Sequence, residues 1–122
     1  MHQPEPPPPD GLLPLAATAL DLHRATCTGP FLAGPDDLDA LHDLGCALLR
    51  LLDVHAERAT PIREAAAPLR EARLRAWQLT DLLHRAAHAA PGPRPAPTHL
   101  CRRHHGAVRL IRRRATAAEL RT

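Results

Sequence analysis

Apolar residues recur along this chain at alternating steps of three and four, the period that lays them along one side of a helix, and they do so in four separate stretches. The longest runs from Thr60 to Ala90, where Ile62, Ala65, Leu69, Ala72, Ala76, Leu79, Leu83, Ala86 and Ala90 form an unbroken a/d seam. Ahead of it, Leu38, Leu41, Leu44, Leu48, Leu51, Leu52 and His55 mark the inward face of the most hydrophobic segment. Leu12, Ala16, Ala19, His23 and Thr26 mark a shorter first helix, and Leu100, His104, Ala107, Val108, Ile111, Ala115 and Ala118 a last one reaching about Leu120. A seam of this length has to be covered, and three amphipathic segments are at hand to cover it. The pattern predicts an all-α protein, a four-helix bundle with the Thr60–Ala90 helix as its spine.

Prolines and capping residues set the boundaries. Pro14 fits the first turn of helix one, where its missing N–H costs nothing, and Gly29-Pro30 ends that helix. Phe31 then plugs one end of the core. Asp36, Asp37 and Asp39 crowd the start of helix two, where carboxylates oppose the positive end of the helix dipole. Thr60 as N-cap with Pro61 at the first position opens the spine, and Pro68 kinks it, because the seam keeps its register across that proline. Pro4 and the run Pro6–Pro9 make residues 1–11 a disordered leader, leaving 12–122 as a single helical domain. Inside that domain, residues 91–97 read as a stiff polyproline linker spanning about 20 Å at roughly 3.1 Å per residue, after which Thr98 caps the last helix.

Charge is laid out unevenly. Up to Glu57 nine acids stand against two arginines, giving −7; beyond it four acids stand against fourteen arginines, giving +10, which together make the net +3. Such halves attract one another within a chain or between two copies. Cys27, Cys46 and Cys101 are odd in number and widely spaced, which disfavours a disulfide framework and fits reduced thiols. No apolar run approaches the roughly 18 residues of a spanning helix, so a cytoplasmic protein without membrane attachment is expected.

Candidate chemistry is sparse. Serine is absent, the six glycines form no phosphate loop, and the carboxylates cluster where capping explains them. On the last helix Arg102, His105, Arg109, Arg112 and Arg113 fall within roughly a 100° arc, with Arg103 and Arg114 flanking the apolar side; guanidiniums in a row suit phosphates. His84 and His88, at i and i+4, and Cys101 and His104, at i and i+3, have the spacing of metal-ligand pairs. The HRAAH sequence lacks the glutamate of HExxH, and His104 also reads as a hydrogen-bonded core histidine. No catalytic residue, cofactor or metal site is assigned from the sequence.

Arg50 and His55 stand in the spacing Arg-x4-His. This resembles the catalytic motif of HEPN-domain ribonucleases, small all-helical proteins in which the motifs of two dimerised chains act on RNA, although Leu51 stands where that family usually has a polar residue. The start MHQPEPPPP and the segments LDLHRA, LDVHAERATPI and CRRHHGAVRLIRRR make most of the chain similar to small uncharacterised helical proteins of Streptomyces and related actinobacteria, a resemblance that implies no activity. The leading expectation is a non-enzymatic, self-associating protein-interaction or regulatory module. Nucleic-acid binding through Arg102, Arg103, Arg109, Arg112, Arg113 and Arg114 comes second, and a HEPN-like ribonuclease third.

Overall fold

The computed structural model describes residues 13–26, 34–90 and 97–121. Its described elements are all helices: α1 (Leu13–Thr26), α2 (Pro35–Arg58), α3 (Arg63–Ala89), α4 (Pro97–Arg114) and α5 (Ala117–Arg121). The chain divides into two compact units, Met1–Leu32 with α1 and Ala33–Thr122 with the other four helices. The proline-rich leader, Cys27, the Gly29-Pro30 stop, Phe31 and residues 91–96 of the linker lie outside the described residues.

In the second unit, α2 begins with Pro35 at its first position, and the Gly34 N–H donates to the Asp37 carboxylate at 3.4 Å. Thr60 is not the cap of α3. Its hydroxyl turns back to the Ala56 carbonyl, the Ile62 N–H bonds the Ala59 carbonyl at 2.8 Å, and the helix starts at Arg63 with Ile62 as its cap residue. Pro68 lies inside α3, and residues 63–67 before it belong to the same helix. The last helix, expected in one piece, is two. Thr116 and Glu119 form a capping box: the Thr116 hydroxyl accepts the Glu119 N–H at 3.2 Å and the Glu119 carboxylate accepts the Thr116 N–H at 3.3 Å. That box starts α5 and returns Leu120 to the core.

Pairings between helices fix their directions. Gly45 and Asp53 of α2 meet Thr80 and Arg73 of α3, in opposite order, so α2 and α3 are antiparallel. Asp39 and Asp53 meet Arg103 and Arg114 in the same order, so α2 and α4 run parallel. The result is an up-down-up unit. Cys46, Leu49, Ala76, Ala107, Leu110 and Ile111 make its core, with Leu52, Trp77, Ala115 and Leu120 packed against it.

Two of the expected apolar faces are turned by one position. On α2 the buried residues are His42, Gly45, Cys46, Leu49 and Ala56, whereas Leu44 and His55 are exposed. On α3 they are Ala66, Arg73, Leu74, Ala76, Thr80 and Ala87; Ala76 and Ala90 of the expected seam hold, while Ile62 and Leu79 face outward. The reason is steric and electrostatic. A Cβ on Gly45 would come within 2.8 Å of the Thr80 hydroxyl, so the helices touch where both side chains are small. Arg73, 4% exposed, is held by Asp53 at 2.9 Å and Glu57 at 2.8 Å, so burial leaves no bare charge.

Candidate metal centre

Five polar side chains from three helices converge beside this core. His42 comes from the first half of α2, His84 and His88 from the last turns of α3, and Cys101 and His104 from the first turns of α4. The antiparallel α3–α4 pair brings the two sequence pairs together: the Cys101 Sγ lies 3.6 Å from His88 Nε2, and the His84 and His104 rings stack with centroids 3.8 Å apart. Trp77 stacks on the same His104 ring at 5.4 Å and closes the apolar side.

Hydrogen bonds assign the protons. The Arg103 Nε–H can only donate, and it reaches His42 Nδ1 at 3.0 Å, so that nitrogen is the acceptor. His42 therefore carries its proton on Nε2 and donates it to His104 Nδ1, also at 3.0 Å. His104 in turn keeps its proton on Nε2, 3.5 Å from the Asp81 carboxylate. Asp39 anchors the relay by accepting from the Arg103 guanidinium. Burial is the main reason the imidazoles stay neutral: it pushes His42, helped by Arg103, down to about 4 and His84 down to about 4, and lowers His104 as well.

Neutral imidazoles with thiol and carboxylate neighbours are ligands for a cation. His84, His88 and Cys101 form one group whose ligand atoms lie within 4.8 Å of one another, and Asp81, His84 and His104 form another; His84 belongs to both. Ligands on a tetrahedral zinc are about 3.4 Å apart for two nitrogens and about 3.6 Å for nitrogen and sulfur, from bond lengths near 2.0 and 2.3 Å. The observed 3.0 Å between His84 Nε2 and His88 Nε2 and 3.6 Å between His88 Nε2 and Cys101 Sγ are within a few tenths of that. Each group holds a proton that a metal would displace, on the His84 or His88 Nε2 in the first and on the His104 Nε2 in the second. The His84–His88–Cys101 group is the better zinc set because it alone carries a thiol.

Helical spacing pairs His84 with His88 and Cys101 with His104. Those pairs leave out Asp81, which at i−3 from His84 extends the same helix face, and His42, which stands on α2. The row of arginines is divided. Arg103 is committed to Asp39 and His42, and Arg114 to Asp53 at 2.9 Å. Arg102, Arg109, Arg112 and Arg113 are exposed. Arg50 and His55 are both exposed on α2, and five residues at 3.6 per turn separate them by about 140° around the helix. Cys46 and Cys101 are free thiols. Among the described residues, no helix is long and apolar enough to cross a membrane.

A family model described as a family of unknown function, DUF6238, matches residues 1–100. The chain belongs to this family. The DUF6238 match takes in His42, Asp81, His84 and His88 and ends one residue before Cys101, so the α4 half of the centre lies beyond it. No curated protein and no solved structure matches the chain.

Proposed function

We propose that this DUF6238 protein is a non-enzymatic regulatory or interaction module built around a transition-metal centre, with His84, His88 and Cys101 as protein ligands and zinc as the best-suited ion. The observation that carries the reading is the convergence of two imidazoles one turn apart on α3 and a thiol from α4, 13 residues beyond His88, within 4.8 Å. Mixed nitrogen and sulfur ligands favour zinc over magnesium or calcium, which take oxygen. Bound there, the ion ties the end of α3 to the start of α4 across the linker. Asp81 stands next to the shared ligand His84 and can complete or exchange the coordination. Cobalt(II) titration tests this. A thiolate-to-cobalt charge-transfer band, with visible bands of tetrahedral intensity, is expected at one equivalent and is lost in Cys101→Ala; a spectrum of hydrated cobalt alone would refute the reading.

Nucleic-acid binding is the second reading, supported by the exposed Arg102, Arg109, Arg112 and Arg113 on one α4 face. It requires an affinity for duplex or single-stranded probes that falls linearly on a log–log salt plot. Retention that is independent of salt, or unchanged in Arg109→Ala/Arg112→Ala, removes it.

A further inference from the structure

The two described glycines inside helices of the second unit have different surroundings. Gly45 is required by packing, since a side chain there would strike Thr80. Gly106, in the interior of α4, has nothing within 4 Å of where its Cβ would be. Glycine is a poor helix former, and here no neighbour demands it. What it leaves open is a cavity of about 190 Å³ between the parallel helices α2 and α4.

The lining of that cavity is lopsided. Leu49 and Leu110 supply an apolar wall, Cys46 lies beside them, and Arg50, Arg103 and Arg113 supply three guanidiniums; no carboxylate lines it. Arg103 is neutralised from outside the cavity by Asp39, with Asp43 at 3.8 Å. Arg50 and Arg113 have no ion pair among the described residues. Burial holds the Cys46 thiol in its protonated form, so it adds no competing negative charge. Arg50 of α2 and Arg113 of α4, both exposed and without an ion pair among the described residues, flank an apolar cleft that Gly106 leaves open, an arrangement that suits an anion carrying a small apolar group.

We propose that this cavity is a binding site for a small phosphate monoester. Its phosphate is held by Arg50 and Arg113, each able to offer paired N–H donors, and its short apolar group lies against Leu49 and Leu110 over Gly106. The volume is below the roughly 300–1,000 Å³ of pockets for drug-sized ligands, which restricts the occupant to a small metabolite. The proposal is independent of the metal centre, because none of the metal-ligand groups lines the cavity.

Calorimetric titration of the full chain with butyl phosphate, inorganic phosphate and butyrate provides the test. Saturable 1:1 binding of butyl phosphate is expected, tighter than that of inorganic phosphate. Arg50→Ala/Arg113→Ala is expected to weaken it at least tenfold, and Gly106→Leu, which fills the cleft from an open position, to abolish it with helicity and melting temperature retained. Arg70→Ala, on α3 and away from the cavity, serves as the charge control and is expected to bind as the parent does. Three results would overturn the proposal: no saturable binding of either phosphate, equal losses in Arg70→Ala and the double variant, or unchanged affinity in Gly106→Leu. Binding of butyrate alone would overturn the phosphate assignment.

Discussion

The two ends of the α2–α3–α4 unit both hold polar groups against the core, and they solve the problem of burying them differently. At one end Arg73 and Arg114 face Asp53 and Glu57, so two cations meet two anions at 2.8 to 3.5 Å. Charge is balanced inside the cluster, and nothing further is needed. At the other end His42, His84 and His104 are kept neutral by burial; His42 donates to His104, and His84 is hydrogen-bonded to His88, with Cys101 alongside. The ion-pair end is complete as built. The histidine end has lone pairs converging on a space a cation fits, and that contrast separates scaffold from candidate site.

The largest effect is expected where charge is already balanced. Arg73→Ala removes the buried cation, which leaves Asp53 and Glu57 to share Arg114 alone, and should cost about 3 kcal/mol in urea unfolding, as removing one partner of a buried pair does. Arg114, a third exposed, should cost well under 1 kcal/mol as Ala, in line with surface pairs. Equal losses from the two would break the distinction between a buried and a rim cation.

Acid should act at the opposite end. His42 is fully buried and titrates near 4 in the folded state against 6.5 when unfolded. Its folded pKa is depressed, so the unfolded chain binds more protons in that window. The His42 contribution to stability is therefore complete above pH 6.5 and is lost as pH falls towards 4. In chelator-treated protein this amounts to about 3 kcal/mol, at 1.36 kcal/mol per pKa unit. Urea midpoints flat between pH 7 and 4.5 would contradict the neutral relay.

How far the sequence discloses this contrast depends on the kind of interaction. The helices and most of the α4 face follow from periodicity. The pairs His84/His88 and Cys101/His104 follow from spacing along a helix. The one-position rotation of α2 and α3 does not, because the period of the leucines ranks Leu44 and Leu79 above Gly45 and Thr80, and only the close approach of two helices reverses that order. Arg73 reads as a surface residue until Asp53 and Glu57 are known to face it. Joining the two ligand pairs needs the antiparallel docking of α3 and α4, which spacing within either helix does not contain. The break before α5, by contrast, stands in plain sight as Thr116-x-x-Glu119.

Smaller effects sharpen the comparison through the glycines beside the histidine end. Gly45→Ala forces a Cβ onto the Thr80 hydroxyl and should cost about 2 kcal/mol, in the range of overpacked cores; Thr80→Ala should recover part of it in a double-mutant cycle. Gly106→Ala meets open space and should stabilise by about 0.5 to 1 kcal/mol through helix propensity. Thermal melts of the two single variants should move in opposite directions.

The proposed metal centre is tested most directly through His84, which both candidate groups share. Equilibrium dialysis of the chelator-treated protein against zinc should give one tightly bound equivalent in the parent chain and none in His84→Ala. His104→Ala, which removes a ligand from the Asp81–His84–His104 group alone, should retain it. A parent chain that binds no zinc, or a His84→Ala variant that binds it as well as the parent, would contradict the account.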